Sequence, residues 1–301
     1  MTKKPSKYSL LERQRRKLIL PFLLPALLVY GTFTLYPAAT TFVVSALDWN
    51  GVTAPEWVGP ANYLRLGDDG LFMRSVGNTV LFTVLGALIL FPVAMFLGYV
   101  TQRIRFGGVY RFMILAPIAL SVTTAALMWK FLVDPTFGAI PELLRFVGLD
   151  DLAGFEVLGR PQTAMLMVVL VSIWHGVGIW MLYFSAAYAR VPEDVKEAAR
   201  LDGASAWQVF WHIVWPLIWE VTRTLLILWV IQAFQTFTFV IALTNGGPLG
   251  ATEVVGTYLY RVAFGSREFG YAGAIAVALF LTILVLTLVS QRLTRRERTT
   301  Y

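Results

Sequence analysis

Six stretches of this sequence are long and apolar enough to cross about 30 Å of hydrocarbon as helices, and no other feature constrains the fold so strongly. They run from Leu18 to Leu47, Ser75 to Thr101, Val109 to Val133, Gln162 to Tyr188, Leu217 to Leu243 and Gly270 to Val289. With 57% apolar and only 14% charged residues among 301, too little polar surface remains to coat a water-soluble globule. The expectation is an all-α polytopic membrane protein with six transmembrane helices. A soluble enzyme, a disordered chain and a fibrous repeat are excluded. Pro21, Pro25 and Pro37 in the first stretch predict a tilted or kinked segment. Its apolar run is longer than the roughly 7–15 residues of a secretory signal core, so it reads as a retained anchor.

Charge sets the expected orientation, because Lys and Arg are held on the cytoplasmic side. Seven precede Leu18 and 4 follow Val289. Three more lie at the connection between the second and third spans (Arg103, Arg105 and, just inside the third span, Arg111), and 3 between the fourth and fifth (Arg190, Lys196, Arg200). The three outer connections hold 2 each and collect most of the acidic residues. Both termini are therefore expected in the cytoplasm. The formal charge of +7 resides largely in the tails, which argues against nucleic-acid binding. The chain has no cysteine, so disulfide and thiol chemistry are absent.

The connection from Arg190 to Pro216 differs in composition from everything around it. Pro192 suits a first helical position, Glu193 and Asp194 favour the positive helix end, and Gly203 can stop the helix by taking positive φ. One short helix is predicted from 192 to about 202. Trp207, Phe210, Trp211 and Val214 then fall at i, i+3, i+4 and i+7, which predicts a second short helix meeting the first at a glycine corner. Composition alone reads this as an interfacial loop with aromatic residues at headgroup depth.

Glu197-Ala198-Ala199, Gly203, Ile213 and Trp215-Pro216 keep the spacing of a known signature. The connection resembles the cytoplasmic loop of permease subunits of ABC importers, with Trp215 where that family usually has Leu. Asp202-Gly203-Ala204 is similar to the carbohydrate-uptake branch. Tyr36-Pro37, Asp48-Trp49-Asn50-Gly51, Gly59-Pro60-Ala61-Asn62-Tyr63, Asn78-Thr79 and Asn245-Gly246-Gly247-Pro248 look like the first permease of maltose- and glycerol-phosphate-type systems.

The resemblance implies a type I ABC importer permease fold in a prokaryotic inner membrane. Residues 1–74 would form the tail, the first span and the first outer loop. Residues 75–290 would form the core, with the coupling loop at 190–216, and 291–301 a cytoplasmic tail. It also implies that Glu197, Ala198, Ala199, Asp202, Gly203 and Ala204 engage a separate ATPase. The implied partners are a second, homologous permease, two cytoplasmic ATPase subunits, an extracytoplasmic solute-binding protein and a sugar. The chain contains no Gly-Lys dipeptide and hence no Walker-type phosphate loop, so ATP and magnesium are assigned to the ATPase and no cofactor to this chain.

Sugars are held by aromatic faces with amide and hydroxyl groups, and within hydrocarbon such groups must face a cavity or another helix. Trp229, Gln232 and Thr236 recur at helical spacing in the fifth span, with Gln235 beside them, and His175 lies near the middle of the fourth. These are the candidate pathway residues; interhelical hydrogen bonding is the competing reading. His175 and His212 are the only histidines and have no carboxylate or thiolate cluster nearby, so no metal site and no catalytic residue is expected. The rivals are a permease for glycerol phosphate, a polyamine or an amino acid, a secondary transporter, and a polytopic membrane enzyme.

Overall fold

The structure, a computed structural model, describes residues 21–293. The basic N-terminal tail, the first residues of the expected opening span (Leu18 to Leu20) and the end of the C-terminal tail lie outside them. The chain divides into two compact units, one reaching to Arg65 and including Val262–Val277, the other Leu66–Arg261 with the chain from Ala278 onward.

In the first unit, α1 (Pro21–Val44) carries a π-helical stretch at Gly31–Leu35 just before Pro37. Its apolar side chains, Phe22 and Phe33 among them, are exposed. A two-residue hairpin follows, β1 (Leu47–Asp48) against β2 (Glu56–Trp57), antiparallel with Leu47 opposite Trp57. Its turn is held by Asn50, whose Oδ1 accepts from the backbone N–H groups of Val52 and Thr53. In α2 (Ala61–Asp68), Asn62 Nδ2 donates to the carbonyls of Ser45 and Leu47, tying the end of α1 to the hairpin. Gly270 packs on the Leu47 carbonyl, and any β-carbon there would collide with it. The Asn62-Tyr63 part of the resemblance is thus a structural clasp.

The second unit is built on α3 (Gly70–Val100) and α8 (Pro161–Tyr188), two long helices that share the unit's largest interface. Asp69 caps α3 by accepting from Leu71 and Phe72 N–H. Small residues bring the two helices together: a β-carbon on Gly98 would lie 3.0 Å from the Met181 carbonyl, and Ser185 Oγ donates to Gly98 O at 3.1 Å. Between them in sequence come α4 (Gly107–Leu115), a 3₁₀ turn at Ala116–Ala119, α5 (Val122–Leu132), α6 (Ala139–Phe146) and α7 (Asp150–Ala153). After α8 come α9 (Glu193–Leu201), α10 (Ala206–Phe234), α11 (Thr238–Leu243), α12 (Val255–Tyr260) and α13 (Phe269–Leu293).

Five helices, α1, α3, α8, α10 and α13, are long and apolar enough to cross a membrane. The expected third span is not one straight helix: Gly107–Ala119 and Val122–Leu132 meet at 97°. Pro117 opens the 3₁₀ turn, Leu120 is extended, and Ser121 restarts the helix by accepting from Thr124 N–H. α4 can approach α8 there because Gly178 has no side chain; a β-carbon would lie 2.7 Å from the Ile114 carbonyl. The expected fifth span also differs, ending at Phe234 and resuming as the short α11.

The Asn78-Thr79 pair acts as a second clasp. Asn78 Nδ2 donates to the carbonyls of Gly250 and Glu253, both at 2.9 Å, and Thr79 Oγ1 accepts from Val255 N–H. These bonds fasten residues 250–255, the segment that follows the Asn245-Gly246-Gly247-Pro248 turn with Asn245 and Gly246 at φ of +51° and +82°, to α3. Asn78→Ala leaves two carbonyls without their donor and is expected to cost about 1–3 kcal/mol. The check is a lowered melting temperature of the full chain in detergent; an unchanged one would mean the clasp contributes nothing.

Candidate solute cavity and coupling loop

A cavity of about 320 Å³ lies at the helix break after Phe234 in the second unit. Gln235 ends α10 and Phe237 opens α11, so Gln235 and Thr236 occupy a non-helical segment. The helical spacing expected for Trp229, Gln232 and Thr236 therefore stops short of Thr236. The structure nevertheless brings all five candidates, His175, Trp229, Gln232, Gln235 and Thr236, to the wall of this one cavity. The bend in the third span contributes Ile118 and Val122 to the same wall.

The lining side chains fall into two groups. Trp229 is buried and already committed: its indole N–H donates to Thr83 O at 2.8 Å, and its ring stacks on Phe82 and meets Trp180 edge-on. Gly86 makes room for that ring, since a β-carbon there would lie 2.2 Å from it. His175 is also buried and committed, with Nε2 at 3.0 Å from the Leu120 carbonyl, where in the Nε2–H tautomer it donates to the bend. Its ring meets Phe239 edge-on at 5.6 Å. Gln232 and Gln235, by contrast, are exposed to the cavity, and neither they nor Thr236 makes a side-chain hydrogen bond among the described residues. Trp229 and His175 thus fit the competing reading, in which polar groups join helices, whereas Gln232, Gln235 and Thr236 make no such bond among the described residues. No Asp, Glu, Lys or Arg lines the cavity. Aromatic faces beside free amides and a hydroxyl suit an uncharged, hydroxyl-rich solute.

The second element is the corner at Gly203. Pro192 stands as the N-cap of α9, not at its first helical position, with an extended ψ of 132°. Glu193 accepts from Lys196 at 2.5 Å and pairs with Arg200 at 3.4 Å. The Lys196 hydrogen bond first, then the charges of Lys196, Arg200 and Arg103 against some desolvation, hold the Glu193 carboxyl below the usual carboxylate range. Gly203 takes φ of +86°, and Ala204 N–H returns to the Ala199 carbonyl at 2.9 Å, closing the helix end. Glu197, Ala198, Asp202 and Gly203 are exposed, and α9 buries no residue; Leu201 is 89% exposed. Lys196 and Ala199 are partly buried, Ala199 packing against the core, so α9 rests one face on the unit and leaves the other bare.

The second helix of the corner is not separate. It begins at Ala206 and runs unbroken into the span, through a π-helical stretch at Phe210–Val214. Its start is fixed by a capping box, with Ser205 Oγ accepting from Gln208 N–H and Gln208 Oε1 accepting from Ser205 N–H. The corner is thereby joined by one continuous helix to Gln232 and the break beyond it.

Among known proteins, the chain is 32% identical over 275 residues to the probable ABC transporter permease protein YurN of Bacillus subtilis (strain 168), covering 90% of this chain and 94% of that one. It is 33% identical over 284 residues to the sn-glycerol-3-phosphate transport system permease protein UgpA of Yersinia pestis, covering 92% and 95%. A bacterial alginate ABC transporter, solved in complex with an alginate pentasaccharide-bound periplasmic protein, has a chain that superposes with a TM-score of 0.83 at 21% identity, over 95% of this chain and 96% of that one. The profile described as "binding-protein-dependent transport system inner membrane component" matches residues 18–299. The chain belongs to the binding-protein-dependent transport system inner membrane component family.

Proposed function

We propose that this chain is a permease subunit of a sugar ABC importer, supplying part of the solute path through the cavity at the α10 break and the lever that moves it. The observation that carries this reading is the set of free side chains at Gln232, Gln235 and Thr236 on a cavity wall without fixed charge. Relatives named for sn-glycerol-3-phosphate transport and a structural neighbour named for alginate handle anions. A wall without Lys or Arg supports a neutral carbohydrate here, and the absence of a lining carboxylate weighs against a polyamine.

In this reading both termini and α9 face the cytoplasm of a prokaryotic cell. The corner carrying Glu197, Ala198, Ala199, Asp202, Gly203 and Ala204 docks on one of two ATPase subunits that bind ATP and magnesium. A second, homologous permease completes the path, and an extracytoplasmic binding protein delivers solute to the outer turns. The structural neighbour's complex with a periplasmic protein supports that last partner. ATP-driven movement of α9 passes through the capped start of α10 to the break, where the amides exchange hydrogen bonds with the passing solute.

The test is uptake into proteoliposomes holding the whole complex, comparing labelled di- and trisaccharides with glycerol 3-phosphate and spermidine. The combined Gln232→Leu and Gln235→Leu variant is expected to lower sugar uptake about tenfold, the worth of one or two lost hydrogen bonds, while ATP hydrolysis persists. Unchanged uptake, or carriage of glycerol 3-phosphate or spermidine in preference to sugar, would contradict the reading. Gly203→Ala forces a β-carbon into a left-handed backbone at about 1–2 kcal/mol. It is expected to reduce sugar uptake and binding-protein-stimulated ATP hydrolysis together; retention of both would remove the corner from the coupling path.

A further inference from the structure

A second opening in the same unit has a different lining from the polar cavity. It is a groove of about 570 Å³ between the last turns of α3 and the first turns of α10, walled by Phe91, Met95, Phe96, Tyr99, Trp207 and Trp211. Almost all its surface is carbon. Pro92 interrupts the hydrogen-bond ladder of α3 on one side, and the π-helical stretch Phe210–Val214 widens α10 on the other. Trp207, Trp211, Trp215 and Trp219 stand as a ladder along α10, with successive ring centroids 5.4, 5.6 and 5.4 Å apart. Trp207 is 71% exposed and Phe96 65%, so the groove is open along its flank.

One end of the groove is cationic. The Arg103 guanidinium lies 3.6 Å from the centre of the Tyr99 ring, a wall residue, and Arg103 makes no ion pair among the described residues. Burial first, then the neighbouring positive charge of Arg200, lowers the Arg103 pKa from its ordinary value, against the opposing pull of Glu193. Glu193 is itself engaged by Lys196 and Arg200. The stretch from Thr101 to Val133 contains no Asp or Glu, so the connection beside this end has Arg103, Arg105 and Arg111 and no compensating carboxylate of its own. Gln102 Nε2 donates to Ser185 O and fixes the connection against α8.

Carbon along the length and uncompensated positive charge at one end is the complement of a single-chain amphiphile with an anionic head. We propose that this groove is a binding site for one anionic phospholipid, with an acyl chain along the tryptophan ladder and its phosphate at Arg103. Interfacial tryptophans and basic residues at helix ends are the features that select such headgroups at a bilayer surface. A free phosphate would leave the carbon walls uncovered, and a neutral lipid would leave Arg103 without its anion. The proposal concerns lipid chemistry alone and holds whichever solute the cavity passes.

The experiment is native mass spectrometry of the full chain, released from detergent in equimolar phosphatidylglycerol and phosphatidylcholine of the same acyl composition. Phosphatidylglycerol is expected to be retained several-fold over phosphatidylcholine. Arg103→Gln should remove that preference, and Met95→Trp, which fills the groove, should lower retention of both lipids. Equal retention of the two lipids by the unaltered chain overturns the proposal, as does a preference that survives Arg103→Gln. Where a variant fails to fold, vesicles of the whole complex containing brominated-acyl phosphatidylglycerol or phosphatidylcholine serve instead. Stronger tryptophan quenching by the brominated anionic lipid supports the site, and equal quenching, or none because a protein neighbour covers the groove, overturns it.

Discussion

Inside hydrocarbon no water is available to satisfy a freed backbone N–H or C=O, so a helix can be interrupted only where protein or an aqueous cavity receives the loose groups. The structure interrupts two spans, at Leu120 and at Gln235–Phe237, and residues flanking both interruptions line the same cavity. The first break is closed by His175 donating to the Leu120 carbonyl. The second is left open, with Gln232, Gln235 and Thr236 around it. The two breaks thus differ in whether the polar side chains beside them are already bonded.

The remainder of the second unit holds that wall in place. Trp229 is fixed by its bond to Thr83 O and by the space above Gly86, so the aromatic side of the cavity is rigid before any solute enters. The first part of α3 is tied to the 250–255 segment through Asn78 and Thr79. The start of α10 is capped by Ser205 and Gln208, and the helix continues to the break. The Gly203 corner and the polar segment are therefore joined by one continuous helix.

Much of this was legible in the sequence, because hydrocarbon length and composition leave a strong periodic record. The places of the apolar spans along the chain, the α9 helix and the positive φ at Gly203 follow from residue type, although the continuity of the third and fifth spans does not. Two of the motifs quoted for the resemblance proved to be clasps: Asn62 and Asn78 each donate to two backbone carbonyls of another segment. The interruptions were harder to read. Pro117 precedes the first bend by several residues, and nothing in Gln235-Thr236-Phe237 forbids a helix, so that break is imposed by tertiary packing. The continuity of α10 did leave a signal, since Ser205-x-x-Gln208 is a capping-box pattern that places a helix start at 206 and gives no reason to end it before the span. Side-chain commitment was invisible in the sequence: Trp229 and Gln232 look equivalent there, yet only the first has its polar group already bonded.

Because the natural chain has no cysteine, one introduced thiol reports on the central claim without background. In membranes holding the whole complex, Gln235→Cys is expected to react with a water-soluble thiol reagent and to be protected by transported sugar, whereas Val168→Cys, in the fully buried core, stays unreactive. A Gln235→Cys thiol as inert as the one at 168, or labelled equally with and without sugar, would show that the α10 break is not part of the solute path.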